Sequence, residues 1–214
     1  MTQGAFVIDI PAQIGAIERD VRRTPRGDGG ENVTVVARRT YASDLEDTWS
    51  ALTDPPRIAR WLMPISGELQ LGGSFQLEGN AGGDILECER PNRFRVTFGG
   101  ETSFLEVRLS PDGDGATTLE LEHTVPIEMA QSGAGAMWVG PGWDGAMMGL
   151  DLHLGGGFTG DPVAAATTPE ALAFSKEAVQ KWADAVEASG TATPEQLAEA
   201  VQMSMAQFAP AAEE

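Results

Sequence analysis

The segment from Ser43 to Gly83 constrains the fold more tightly than any other part of this chain. Ser43 and Glu46 have the spacing of a capping box, in which each side chain satisfies a free backbone N–H at a helix start. Leu45, Trp49 and Leu52 then share one helical face. Asp54-Pro55 restarts a helix, since aspartate caps and proline already has a helical φ. That second helix carries Ile58, Trp61 and Leu62 and stops before Pro64. Leu69-Gln70-Leu71, Gly72-Gly73 and Phe75-Gln76-Leu77 follow as a strand, a tight turn and a strand. The block therefore predicts two short helices leading into a hairpin, and identifies no ligand.

Downstream and upstream of it the pattern is strand after strand. Val33 to Arg39, Glu68 to Leu71, Ser74 to Glu78, Asp84 to Glu89, Phe94 to Phe98, Ser103 to Leu109 and Thr117 to His123 all read as strands. Gly72-Gly73, Gly82-Gly83, Pro91-Asn92, Gly99-Gly100 and Pro111-Asp112-Gly113 punctuate them. Connections this brief make an antiparallel meander. A helix follows Gly140-Pro141-Gly142, with Trp143, Met147, Leu150 and Leu154 on one face and Gly155-Gly156-Gly157 as its stop. One sheet needs one cover, and this helix supplies it.

Charge decides which partners to exclude. The net charge of −18 sets the chain against phosphate backbones and anionic membranes, whose binding needs exposed Lys and Arg. The one basic concentration, Arg19, Arg22, Arg23 and Arg26, has no interleaved aromatics and reads as a solvated strand edge. Nucleic acid and membrane are therefore not expected as partners. No apolar run is long enough to span a bilayer, and Met1-Thr2-Gln3-Gly4 is unlike a signal peptide. With a single cysteine, Cys88, no internal disulfide can form, and a cytoplasmic location is expected.

The organisation reads as three parts. Residues 1–30 form an N-terminal extension, from the apolar Phe6-Val7-Ile8-Asp9-Ile10 to the turn Arg26-Gly27-Asp28-Gly29-Gly30. Residues 33–156 form the main domain. Residues 162–214 form a C-terminal helical extension, with helix starts at Thr168-Pro169-Glu170 and Thr193-Pro194-Glu195. Val179, Trp182 and Val186 stripe the first of these helices; Leu197, Val201, Met205 and Phe208 stripe the second. Trp182 and Phe208 need a covering surface, either the main domain or a second copy of the chain, so a homodimer through this hairpin is a possible partnership.

Several motifs together resemble a known family. They are Thr48-Trp49-Ser50-Ala51-Leu52-Thr53-Asp54-Pro55, Arg60-Trp61-Leu62, Gly67-Glu68-Leu69, Gly72-Gly73-Ser74-Phe75, Glu87-Cys88-Glu89-Arg90-Pro91 and Leu121-Glu122-His123. In this order they look like the activator of heat shock protein 90 ATPase homologue family, within the START-like (SRPBCC) superfamily. The resemblance runs from Val33 to near Gly156. It implies an α+β helix-grip fold: a curved antiparallel sheet around a long C-terminal helix, with two short helices after the first strand. It also implies an interior cavity that superfamily members use for hydrophobic molecules.

Strand alternation gives an independent reading of that interior. Residues two apart share a face, which turns Phe75, Leu77, Phe94, Val96, Phe98, Leu105, Val107, Leu109, Leu119, Leu121 and His123 inward. Glu106, Arg108, Glu120 and Glu122 face water. The predicted ligand-binding set is Trp61, Phe75, Leu77, Phe94, Val96, Leu121, His123, Trp143, Met147 and Leu150. An empty apolar void of about 300 Å³ would cost on the order of 7 kcal/mol, so the interior is filled either by its own Phe and Trp side chains or by water or a ligand.

Catalytic chemistry has weaker support. His123 is the one candidate acid–base group; as an alternative it is a satisfied core histidine. Asp144 could add a carboxylate but more simply complements the helix dipole. Cys88 has no activating neighbour in sequence, and His123, His153 and Cys88 lack metal-ligand spacing. No phosphate-binding loop accompanies the glycine pairs, so neither cofactor nor metal is expected. Three functions follow in order: a binder of a small hydrophobic ligand, a protein–protein module such as a chaperone regulator or assembly subunit, and a cyclase-like or hydrolase-like enzyme using His123.

Overall fold

A computed structural model describes residues 8–157 and 160–210. The apolar start expected at Phe6-Val7 lies outside the described residues. The elements are α1 (Ile10–Gly15), β1 (Glu18–Pro25), β2 (Glu31–Tyr41), α2 (Leu45–Thr53), α3 (Pro55–Ile58), β3 (Ile65–Gly67), β4 (Ser74–Leu77), β5 (Gly82–Glu89), β6 (Arg93–Thr97), β7 (Phe104–Pro111) and β8 (Thr117–Pro126). Then come α4 (Ile127–Ala130), a 3₁₀ turn (Gly133–Trp138), α5 (Gly140–Leu154), α6 (Pro162–Ala165), α7 (Pro169–Ser189) and α8 (Pro194–Phe208).

The strands form one 8-stranded antiparallel sheet in the order β1-β2-β8-β7-β6-β5-β4-β3. The expected meander accounts for all of it except β1, which lies in the predicted N-terminal extension and pairs with β2 along its whole length, from Glu18↔Arg38 to Pro25↔Glu31. Together with α5 this is the expected helix-grip fold. The outer sheet face carries a lattice of ion pairs, Arg93 and Arg108 with Glu106 and Arg108 with Glu120 and Glu122 among them. The inner face buries Val96, Leu105, Val107, Leu109, Leu119 and Leu121.

Three local expectations are corrected. Helix α2 is capped by Asp44, whose carboxylate accepts from the Asp47 amide at 2.9 Å, not by Ser43. Ser43 donates to the Asp47 carboxylate instead, and Glu46 leaves the helix start to pair with Arg90. The first hairpin strand is Ile65–Gly67, not Glu68 to Leu71. Leu69-Gln70-Leu71 mimics strand alternation, but Gly67 and Gly72 have φ of +116° and +80°, and the intervening chain closes a turn through Glu68 N–H to Ser74 O and Gly73 N–H to Gln70 O. The third is Arg19, expected on a solvated edge. It shares the inward face of β1 with Val21, and its side chain is 6% exposed.

The two terminal segments are both fastened to α5. Arg19 pairs with Asp144 at 2.7 Å, and the Trp182 indole donates to the other oxygen of Asp144 at 3.0 Å. Arg39 from β2 pairs with Asp151 at 2.7 Å, with Gln13 of the N-terminal segment bridging the two. Helix α7 buries Phe174, Val179, Trp182 and Val186 completely, and Phe208 of α8 lies against Gly142. The two large aromatics that asked for a covering surface find it within the chain. The caps at Thr168 and Thr193 form as expected, the latter as a full capping box with Gln196.

Candidate functional site: two chambers under the sheet

Between the inner sheet face, α2, α3 and α5 lies a cavity of about 330 Å³. It exists because α5 approaches the curved sheet with a face of mixed size. Trp143, Ala146, Met147 and Leu150 line the chamber, while Gly149 sits against the Trp61 carbonyl and lets the helix close on α3. Of the sequence-predicted set, Trp61, Phe75, Leu77, Phe94, Val96, Leu121, Trp143, Met147 and Leu150 all line this chamber. Leu154, the last residue of the predicted helix stripe, does not.

The wall residues that sequence reasoning passed over come from the ends of elements and from the paired helices. Tyr41 closes β2, and Trp49 meets Phe94 edge-on with ring centres 6.0 Å apart. Both were legible in principle: Tyr41 continues the alternation from Val33, and Trp49 lies on the predicted apolar face of α2. Three polar groups of the wall are turned to the backbone. Tyr41 donates to Met147 O, Thr53 to Trp49 O and the Trp61 indole to Ala51 O. Cys88 and Arg90 line the chamber and are also exposed, which places its mouth beside the end of β5. Arg90 pairs there with Glu46 at 2.9 Å.

His123 is the one predicted residue that does not face this chamber. It lines a second cavity of about 290 Å³, on the far side of a partition made by Phe98, Trp143 and His123 itself. Alternation put His123 inward, which is correct, but the partition is made by residues distant in sequence and has no periodic signature.

Its hydrogen bonds fix the chemistry of His123. An indole N–H can only donate, so the 3.2 Å contact from Trp143 Nε1 makes His123 Nδ1 the acceptor. The proton of the neutral ring is therefore on Nε2, which donates to Ser103 Oγ at 2.8 Å. Burial pushes the imidazole pKa down to about 4, so the ring stays neutral through the physiological range. Nε2 cannot take the Ser103 proton, and Nδ1 already accepts from the indole.

A depressed histidine carries a defined pH signature. The unfolded chain takes up the proton at pH values where the native state does not, so the contribution of His123 is complete above about 6.5 and is lost as pH falls toward about 4. The stability advantage of the native chain over His123→Phe should shrink by about 3 kcal/mol across that window. Chemical unfolding of both proteins at a series of pH values checks this; parallel curves would refute it.

Among the described residues no group of three or more His, Cys, Asp or Glu is placed to hold a metal ion. No described helix is long and apolar enough to cross a membrane.

Comparison with known proteins settles the lineage. Residues 42–155 match the family described as Activator of Hsp90 ATPase homolog 1-like protein, more than half of the chain. The chain belongs to that family. Its helix-grip architecture is the START-like one. The crystal structure of CalU16 from Micromonospora echinospora is 36% identical and covers 80% of this chain and 99% of its own, with a TM-score of 0.64. The solution structure of CalU16 is 35% identical, covering 88% of this chain and 100% of its own at a TM-score of 0.67. That share is more than residues 42–155 and one flank could supply, so the likeness to CalU16 reaches into both terminal segments. DynU16, from the dynemicin biosynthetic locus, is 23% identical, covers 59% of this chain and 48% of its own, and has a TM-score of 0.51. At that identity the likeness concerns the fold alone. No protein of curated function matches the chain.

Proposed function

We propose that this protein binds a small hydrophobic molecule in the chamber between the sheet and α5. The carrying observation is the 330 Å³ of space walled by Phe, Trp, Leu, Val and Met side chains. Left empty, that volume would cost on the order of 8 kcal/mol, comparable with the net stability of a whole domain. A fold that keeps such a space, while turning wall donors to the backbone, is suited to an apolar guest. The site is then the nine residues from Trp61 to Leu150 named above, entered beside Cys88 and Arg90.

The alternative readings have less behind them. An enzyme using His123 as base would need a free ring nitrogen, and both are engaged. A chaperone-regulator role draws on the family description only. The C-terminal hairpin, the expected surface for a homodimer, spends its largest aromatics on its own domain. A cytoplasmic setting remains part of the proposal, and an exposed free Cys88 is compatible with a reducing compartment.

The test is thermal unfolding of the protein against hydrophobic metabolites, lipids and aromatic polyketides. A true ligand at about 100 times its dissociation constant adds roughly 2.7 kcal/mol, a shift of roughly 5–10 °C at this size. Met147→Trp, which narrows the chamber, should sharply reduce the shift. Bound ligand should also slow maleimide alkylation of Cys88 at the mouth. Shifts that persist unchanged in Met147→Trp would refute the assignment.

A further inference from the structure

We propose that the second chamber is the far end of the same binding site, joined to the first past Phe98, and that the Ser103 hydroxyl there donates to a carbonyl-type acceptor at the tip of an elongated apolar ligand. The inference rests on the reading of the first chamber as a ligand site and adds the length of the ligand and the position of its polar group.

Phe98 carries the connection, for among the described residues it alone lines both cavities. Its ring stands 5.2 Å from Trp143, 5.6 Å from His123 and 6.4 Å from Phe75. Phe98 directly follows β6 and precedes Gly99, whose φ is +74°, so the ring stands at a strand end rather than in the middle of the sheet. On the first side of this aromatic partition the wall is apolar. On the second side Val33, Val35, Val125, Ala136 and Val139 lie around Ser103 and His123, and the chamber reaches the surface beside the exposed Met129 and Gly99.

Those two side chains form the end of a directed chain of hydrogen bonds. Trp143 Nε1–H donates to His123 Nδ1, and His123 Nε2–H donates to Ser103 Oγ. Since Ser103 Oγ is the acceptor in that bond, its own proton is uncommitted: the hydroxyl makes no other hydrogen bond among the described residues. Ser103 is 4% exposed, so bulk water does not complete it. A buried donor with no acceptor is costly, and the two donations upstream polarise this hydroxyl into a better donor. The complementary group is a ketone, aldehyde or ester oxygen carried by a chain slender enough to pass an aromatic ring. A charged group does not suit it, because no cation lines the chamber.

The test uses straight-chain methyl ketones of increasing length and the matching hydrocarbons, read by displacement of an anilinonaphthalene sulfonate dye. Dye binding that is lost in Met147→Trp establishes the first chamber as the site. With that in hand, ketones too short to reach Ser103 should bind no better than hydrocarbons, and longer ones should gain about tenfold. Ser103→Ala should erase the gain for long ketones only, and Ser103→Thr, which keeps the hydroxyl, should retain it. Phe98→Trp should cut off the gain by thickening the partition; Phe98→Leu should bring it in at shorter lengths. A ketone preference untouched by Ser103→Ala, or a length dependence untouched by both Phe98 variants, overturns the inference while leaving the first chamber intact. Failure of dye and every chain to bind the native protein overturns the first-chamber reading, and this one with it.

Discussion

Asp144→Asn is expected to destabilise the protein by about 3–5 kcal/mol and to lower its melting point by roughly 10 °C. Asp144 is fully buried, and the carboxylate receives donors at both oxygens. Arg19 Nε and Nη2 converge on Oδ2 at 2.8 and 2.7 Å, and the Trp182 indole reaches Oδ1 at 3.0 Å. An amide of the same shape has one acceptor oxygen, so its NH₂ must face either the guanidinium or the indole, donor against donor. The larger loss is electrostatic. Arg19 keeps its Ile17 and Ile14 carbonyl contacts but becomes a buried cation with no counter-charge. Burial pushes the Asp144 carboxyl up to about 6, with Arg19 pulling the other way, so the group is ionised at neutral pH and the pair is complete there. Removing both charges should cost less than removing one. The double variant Arg19→Met with Asp144→Leu is expected to recover most of the loss, short of the unpaired Trp182 N–H. Urea unfolding of Arg19→Met, Asp144→Leu and the double variant decides it; additive losses would mean that the pair is not the unit of stability.

This ion pair also shows where the sequence stops being readable. Alternation in β1 puts Ile17, Arg19 and Val21 on one face, and helical spacing puts Asp144 away from the Trp143–Met147–Leu150 stripe. Each fact is local and legible. That the two meet depends on β1 joining the sheet beside β2 and on α5 turning its back to that edge, which no periodicity encodes. The same division runs through the site. Inward and outward residues on β4 and β6 to β8 follow from a period of two, while a register shift between Ile85 and Glu87 brings both Ile85 and Cys88 of β5 to the chamber; the cavity-facing side of α5 follows from a period of 3.6. The hairpin register does not, since Leu69-Gln70-Leu71 carries the pattern of a strand while Gly67 and Gly72 bend the chain out of it. The 3₁₀ turn opens on four small residues, Gly133 to Ala136, that carry no amphipathic signal; Gly133 and Gly135 are there because Thr191 and Ala130 press against them. Likewise the assignment of His123 to the second chamber needs the Phe98–Trp143 partition, a contact between a strand end and a helix start.

Trp182→Ala should cost about 3–5 kcal/mol and should loosen the C-terminal hairpin from the domain. The indole is wholly buried where α7 crosses the start of α5, and it combines packing with the hydrogen bond to Asp144. Trp182→Phe keeps one aromatic ring but loses the donor and part of the indole, so a cost of about 1–3 kcal/mol is expected for it. Hydrogen exchange should then show β1 and α7 losing protection together in the alanine variant, because Asp144 ties both to one helix, and α8 should follow because it packs on α7. The glycine opposite gives a sharper test. A Cβ at Gly140 would lie 2.4 Å from the Trp182 ring, far inside contact distance, in a helix where φ is unexceptional. Gly140→Ala should therefore destabilise the native chain through the clash alone, although alanine is the better helix former by up to about 1 kcal/mol. In the Trp182→Ala background the clash is gone, the helix preference remains, and the same substitution should be neutral or stabilising. The sign of the Gly140→Ala effect should thus reverse with the residue at 182, a coupling that only direct contact between the covering helix and the C-terminal hairpin produces. An equal loss in both backgrounds would place the strain elsewhere and would unseat Trp182 as the residue that docks the hairpin.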